Sequence, residues 1–404
     1  MHTSTAWVEV NTKAIRHNYR EIQRFVGAEV AVMAVIKTNA YGHGLELVAR
    51  ALKDEAAWFG VSTAEEGIRA RAAAPDTPIL VFQPVGPWNA AHLVANNLTA
   101  TVDSEDGAKA LAEAGRGAGR VPEAHLKLDT GMSRFGVVFG IRRRDEDALA
   151  RIMAVPGLRW TGMYTHLATA TNGARDPLAN FASGLFSGPS TGIQFLQRKS
   201  GSLEDPGKYS VAWQEPLVAS ARWFHALNSA GLLSLLDRHP NVFRGVGVIR
   251  PWNMVRVGTL LYGQYPASHL PRPLDLKPTW AYKTRIVSLR TIPAGRAVGY
   301  GAEWTARRET VLATIPVGYY DGLTVEPLSV WRRQGGLAGI IKRLRGRNRV
   351  NIRTERGPAP VVGRVAAQSA MLDVTDLPGI AVGDVVEVPA RRVLVGEHVP
   401  RVAL

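Results

Sequence analysis

The chain has 404 residues and not one cysteine. That excludes a disulfide framework, a thiol nucleophile and any cysteine-ligated zinc centre. Nowhere does it run to the ~18 consecutive apolar residues of a membrane-spanning helix. Its start, MHTSTAWVEVNTKAIRHNY, lacks the basic region and apolar core of a secretion signal. A soluble cytoplasmic protein is the expectation. No metal-ligand cluster such as HExxH occurs, and the GVGV around Val246 is too short for a dinucleotide fingerprint. Acidic residues are also scarce, 34 against 49 lysines and arginines, a net charge of +15. Much of the excess lies between Arg332 and Arg356, where Lys342, Arg343, Arg345, Arg347, Arg349 and Arg353 crowd together. A solvated basic loop accounts for it, and a nucleic-acid partner is disfavoured.

What the sequence does contain is alternation. Ala31 to Gly44, AVMAVIKTNAYGHG, runs six apolar residues into Lys37, then a polar turn over Thr38 to Gly44, then the helical pattern LELVARALKD. Apolar runs followed by helical periods recur: Trp58 to Val61 before Thr63 to Ala73, Pro78 to Phe82 before Trp88 to Asn96, Thr99 to Val102 before Glu105 to Ala114. Ala124 to Leu128 and Leu158 to Tyr164 continue the series, and Phe224 to Leu227 and Val255 to Leu260 complete it. Before all of these, Thr12 to Phe25 reads as an amphipathic helix through Ile15, Tyr19, Ile22 and Phe25. Strands separated by single helices need right-handed crossovers and a parallel sheet, and eight of them predict a (β/α)8 TIM-type barrel.

The period is lost around 168–215, an irregular insertion. Past Tyr265 a proline-rich linker leads into β-rich segments such as KTRIVSLRTI, ETVLATIPVGY and GDVVEVP, with turns at Ala294-Gly295 and Arg356-Gly357. The expected organisation is a cofactor-binding barrel over 12–265 and a mostly antiparallel β domain over 266–404 plus 1–11.

Lys37 sits at the carboxyl end of a buried strand, where barrel chemistry resides. Apolar surroundings disfavour the ammonium and release a nucleophilic amine, suited to a Schiff base with an aldehyde cofactor. The plain alternative is a lysine snorkelling to solvent after a core strand.

Lys37-Thr-Asn-Ala-Tyr-Gly-His-Gly resembles the pyridoxal phosphate lysine signature of alanine racemases, and further motifs recur in family order over roughly residues 6 to 167 and 223 to 400. The resemblance implies a pyridoxal 5'-phosphate enzyme that interconverts L- and D-alanine, supplies D-alanine for peptidoglycan, and works as a homodimer with shared active sites. For the phosphate it implies Tyr41, Ser229 in His225-Ala-Leu-Asn-Ser-Ala, and Gly258 and Thr259 in RVGTLLYG. For the pyridine nitrogen it implies Arg256, which as a pure donor would leave that nitrogen unprotonated. Racemisation needs bases on opposite faces of the α-carbon. The resemblance assigns these to Lys37 and to Tyr300 of a second subunit, in VGYGAEWT. It further implies that His166 links the tyrosine to Arg256, that Arg134 in KLDTGMSRFG contacts substrate, that Lys127 orients Arg134 and is carbamylated in some members, and that Tyr319 lies at the entrance. No metal is implied.

The chain departs from the family pattern at four places. Ala367 stands where a methionine presents its backbone amide to the substrate carboxylate, with Gln368 beside it in place of aspartate. The C-terminal INYE-type segment is missing, Thr171 replaces an acid after His166, and the basic stretch from Thr324 to Arg356 is long. These changes leave open a racemase for serine or a basic amino acid, or for a broader range. A nucleic-acid-binding protein on a racemase scaffold is the alternative from another class.

Overall fold

The computed structural model describes residues 4–138, 143–168, 170–171, 193–194, 212–213, 221–238, 253–323 and 350–404. Most of the expected insertion and most of the basic 324–356 stretch lie outside these. The chain divides into two compact units, one of residues 12–40 and 45–278, the other of residues 1–11, 41–44 and 279–404.

In chain order the strands begin with β1 (Ala6–Val10), which belongs to the second unit, and continue with β2 (Ala31–Val35), β3 (Trp58–Val61), β4 (Ile79–Pro84), β5 (Thr99–Val102) and β6 (Glu123–Asp129). The two-residue β7 (Val137–Val138) is followed by β8 (Arg159–Tyr164), the short antiparallel pair β9 (Ile193–Gln194) and β10 (Ala212–Trp213), then β11 (Trp223–Asn228) and β12 (Met254–Val257). Strands β2, β3, β4, β5, β6, β8, β11 and β12 pair in parallel in that order. The pairing of β12 with β2 closes them into the expected eight-stranded barrel. Met33, Trp58, Leu80, Tyr164 and Met254 form a buried cluster contributed by five of the strands. Each such side chain contributes roughly 1.5–3 kcal/mol on burial.

Among the described residues the α-helices are α1 (Thr12–Val26), α2 (Lys37–Gly42), α3 (Leu45–Leu52), α4 (Ala64–Ala73), α5 (Ala90–Ala95), α6 (Glu105–Gly117), α7 (Arg143–Met153) and α8 (Ser229–Arg238). In α1 the buried face runs through Ile15, Tyr19, Ile22 and Val26, so Val26 rather than Phe25 completes the apolar stripe. Helix α4 begins at the capping box that Thr63 and Glu66 suggest: the Thr63 hydroxyl accepts the Glu66 amide at 3.3 Å.

The second unit is a nine-stranded sheet that includes β1. The strands after it in the sheet are β13 (Trp280–Arg285), β14 (Ser288–Ile292), β17 (Thr310–Ile315), β18 (Asn351–Thr354), β19 (Gly357–Val362), β20 (Ala370–Asp373), β21 (Val385–Glu387) and β22 (Arg401–Ala403), while β15 (Ala297–Val298) and β16 (Trp304–Thr305) form a separate antiparallel pair. All pairings in this sheet are antiparallel except β1 with β22. The β-rich run KTRIVSLRTI falls on two strands: β13 pairs with β1 and β21, whereas β14 pairs with β17.

Candidate active site

Lys37 follows β2 after the single residue Ile36, at the strand end where it was expected, but the residues after it do something sequence pattern does not reveal. Thr38, Asn39, Ala40 and Tyr41 have φ of 56°, 51°, 53° and 53°, so α2 is a left-handed helical turn closed by Gly42 at 83°. Four non-glycine residues in this region cost about 1–2 kcal/mol each. Compensating bonds hold the turn. The Ala40 amide donates to Ile36 O at 2.8 Å, the Asn39 side chain accepts the Leu45 amide at 2.8 Å, and the Thr38 amide donates to Glu66 Oε1 at 2.5 Å. Burial lowers the pKa of Lys37, the Arg134 guanidinium lowers it further, and Glu66 opposes them.

Arg256, on β12, is buried and reaches across β11 to the residues that follow β8. Its Nη1 donates to Nδ1 of His225 at 2.7 Å and to His225 O at 3.0 Å; its Nη2 donates to Thr165 O at 2.7 Å and Ala226 O at 3.1 Å and meets Nδ1 of His166 at 3.3 Å. These contacts engage both terminal nitrogens and leave Nε–H as the remaining donor among the described residues. Burial brings the pKa of Arg256 down to about 10, still high enough to keep it charged at neutral pH. Its guanidinium lies 5.2 Å from the centre of the Tyr164 ring, and Nζ of Lys127 lies 5.4 Å from the same ring. His225 stacks on Tyr164 with ring centroids 4.7 Å apart.

His166 is held by Arg256 on one side and by Asn228 Nδ2 at 3.2 Å on the other. Burial and then the charge of Arg256 bring its pKa down to about 3, so it is neutral at physiological pH. Lys127 is buried, and its Nζ donates to Leu128 O at 2.5 Å; burial, with Arg256 next, brings its pKa down to about 8. Arg134 stands on an exposed loop organised by Asp129, whose Oδ1 accepts the amides of Gly131, Met132 and Ser133 at 3.0, 3.0 and 3.1 Å. The Arg134 guanidinium covers the Phe135 ring at 4.6 Å.

Ser229 opens α8, and its hydroxyl oxygen accepts the Gly258 amide at 3.1 Å. The Gly258 amide, expected to face an anion, is therefore engaged with Ser229, and the Ser229 hydroxyl hydrogen is what remains to be donated. Thr259 is half-buried in the turn that follows β12. Lys37, Lys127, Arg134, His166, Ser229, Arg256, Gly258 and Thr259 all belong to the barrel unit, where Arg256 bonds His166 and Ser229 bonds Gly258. Sequence reasoning singled out none of His125, Tyr164 and Glu66 as site residues.

The other expected residues belong to the second unit. Burial pushes the Tyr41 phenol up to about 12, and the next residue's carbonyl, Gly42 O, accepts from Trp280 Nε1 at 3.2 Å and Arg401 Nε at 3.1 Å. Tyr300 occupies a turn between Gly299 and Gly301, with φ of 78° and 70°, and is 71% exposed, unusual for a large aromatic residue. An ion pair between Glu303 and Arg364 lies beside that turn. Tyr319 is also exposed; its amide and that of Tyr320 donate to the carbonyls of Ala366 and Ala367 at 3.1 and 2.9 Å. No cluster of three or more metal-ligating side chains occurs among the described residues.

The barrel residues fit pyridoxal phosphate: a buried guanidinium with one donor to give, a serine hydroxyl at a helix start, and a lysine amine with a depressed pKa at a strand end. Comparison with known proteins agrees. Residues 10–197 match the alanine racemase N-terminal domain and residues 279–397 the alanine racemase C-terminal domain. Alanine racemase 1 of Caldanaerobacter subterraneus is 34% identical over 379 residues, covering 93% of this chain and 83% of its own. An alanine racemase structure from Clostridium difficile has the same fold, with a TM-score of 0.78 at 22% identity over all of this chain and 97% of its own. The structure of the Bartonella henselae alanine racemase, with covalently bound pyridoxal phosphate, has a TM-score of 0.69 at 21% identity over 99% of this chain and all of its own. Two family domains in sequence and a relative above 30% identity across nearly the whole chain lead to one conclusion: this protein belongs to the alanine racemase family of isomerases.

Proposed function

We propose that the chain interconverts L-alanine and D-alanine with pyridoxal 5'-phosphate, using Lys37 and Tyr300 of the partner subunit as opposed bases. The observation that carries this reading is Arg256: a buried, charged guanidinium with both terminal nitrogens engaged and Nε–H remaining. Arg256 would hold the pyridine nitrogen as an acceptor, and Ser229, Thr259 and Tyr41 would hold the phosphate. The bound cofactor supplies an electron sink that acidifies the α-hydrogen of an attached amino acid.

Lys37, whose pKa burial and then Arg134 lower, takes or returns the proton at the α-carbon on one face. The Tyr300 phenol serves the opposite face. His166, neutral beside Arg256, positions that guanidinium, and Arg134 binds the substrate carboxylate with the Ala367 amide; Tyr319 lines the entrance. Lys127 orients Arg134. The exposure of Tyr300 and Tyr319 supports a homodimer in which each copy completes the other's site. We further propose division of labour between a cofactor-binding barrel over 12–265 and a β domain over 266–404 plus 1–11, a cytoplasmic location, and supply of D-alanine for peptidoglycan.

Chiral analysis of each of the twenty amino acids after incubation with purified protein tests the proposal. Alanine should racemise fastest, and a yellow chromophore should disappear on borohydride treatment and be absent in Lys37→Ala. A colourless wild-type protein that does not racemise alanine when given the cofactor would overturn it. A second reading, racemisation of serine or a basic amino acid, draws support from the exposed Ala367 and Gln368, and the same assay distinguishes it.

A further inference from the structure

The left-handed turn beyond Lys37 begins with an amide that has no helical acceptor of its own, as the first amides of any helix do. Glu66, a half-buried residue of the next βα unit, supplies the acceptor. Its Oε1 takes the Thr38 amide at 2.5 Å, and its Oε2 takes the Ser62 amide at 2.7 Å. Ser62 directly follows β3 and Lys37 closely follows β2, and these strands are parallel neighbours. One carboxylate therefore ties together two adjacent strand ends. Glu66 is itself anchored, since its amide donates to the Thr63 hydroxyl. An ordinary capping box turns its glutamate back on its own helix start; here the side chain also reaches the neighbouring loop.

We propose that Glu66 is a positioning residue for Lys37: it clamps the strained turn that begins at Thr38 and so fixes the direction in which the Lys37 amine leaves β2. Two properties follow. The clamp is charge-assisted, so a neutral replacement weakens it without abolishing it. The carboxylate is also the negative counterpart of Arg134 at Lys37, favouring the ammonium where burial and Arg134 disfavour it, with His166 neutral nearby. Removing the charge should lower the pKa of Lys37 and leave more of the amine unprotonated at a given pH.

The inference rests on Lys37 being the reactive amine, and the test separates the two ideas. Cofactor-free protein is labelled with an amine-directed reagent across a pH series, and the extent at Lys37 is read by mass spectrometry with exposed Lys109 as reference. Amide exchange at Thr38 is measured on the same samples. Glu66→Gln should shift the Lys37 labelling midpoint to lower pH and keep part of the Thr38 protection. Glu66→Ala should shift the midpoint likewise and accelerate Thr38 exchange about ten- to a hundredfold, the weight of one charge-assisted hydrogen bond. Lys109 should not move. Unchanged Lys37 labelling together with unchanged Thr38 exchange in both variants would overturn the proposal. If wild-type Lys37 labels like Lys109, the assignment of Lys37 as an activated amine falls, while Thr38 exchange still decides the clamp.

Discussion

Nη1 of Arg256 donates to Nδ1 of His225, which places the His225 proton on Nε2, and that nitrogen faces Nδ1 of His125 at 3.0 Å. A cation thus begins a chain of two neutral imidazoles running into the barrel core, each tautomer set by the bond before it. His125 Nε2 ends the chain with no partner among the described residues, close against Gly162, where an added Cβ would lie 2.6 Å away. Burial and Arg256 bring the pKa of His125 down to about 3 and hold that of His225 well below the usual histidine range.

Stability should therefore fall in mild acid. Below about pH 6.5 the unfolded chain binds protons that folded His125, His166 and His225 refuse, so stability present above that value is lost as pH falls toward about 3. The slope should reach about 1.4 kcal/mol per pH unit for each histidine. Urea denaturation down to about pH 5 measures it, with His225→Gln as the comparison. The variant should show a shallower slope, and identical slopes would show that His225 is not held neutral.

Tyr300→Phe should lower racemisation roughly a hundredfold to ten-thousandfold, the usual weight of one acid–base group. The loss should be one-sided. Solvent deuterium exchange at the α-carbon should survive for the enantiomer served by Lys37 and disappear for the other; equal loss for both would reject the face assignment.

Shared sites can be tested by mixing. Lys37→Ala and Tyr300→Phe homodimers should each be nearly inactive, whereas a mixed dimer with shared sites would contain one site with both wild-type groups. Activity should recover after subunit exchange, and exchange verified by mass without recovery would place both bases on one chain.

Lys127 should take up carbon dioxide. With its pKa near 8, a useful fraction of the amine is neutral at slightly alkaline pH. Its nitrogen can bond to carbon dioxide, losing a proton to solvent and leaving a carbamate anion favoured by Arg256 and Arg134. Protein in 13C-labelled bicarbonate should show a carbamate carbon resonance that Lys127→Met lacks. A spectrum without it at saturating bicarbonate would leave Lys127 a plain buried amine.

Gly318→Ala should destabilise the β unit by about 2–4 kcal/mol. An added Cβ would lie 2.1 Å from Ala366 O and 2.3 Å from Ala367 O, the carbonyls that hold the Tyr319 and Tyr320 amides. Thermal denaturation measures the cost. A melting temperature equal to wild type would mean the loop moves aside freely.

The barrel was legible because its signal is local. Apolar runs followed by helical periods mark each βα unit within some thirty residues, and the Thr63–Glu66 cap reads directly from spacing. Lys37, at the end of its apolar run, was equally plain. Tertiary structure alone decided the rest, because it turns on which residues from distant strands face one another. Nothing in KTNAYG states that the turn is left-handed; Glu66, 28 positions after Thr38, accepts its first amide. Nothing in HLK or HALNSA states that His125 and His225 touch, since β6 and β11 meet only through closure of the sheet around β8. Composition and period determined the kind of fold, and the octapeptide that begins at Lys37 singled out the candidate reactive amine. Closure of the barrel determined the pKa shifts of Lys37 and of the groups around Arg256, because desolvation and neighbouring charge exist only once the chain has brought them together.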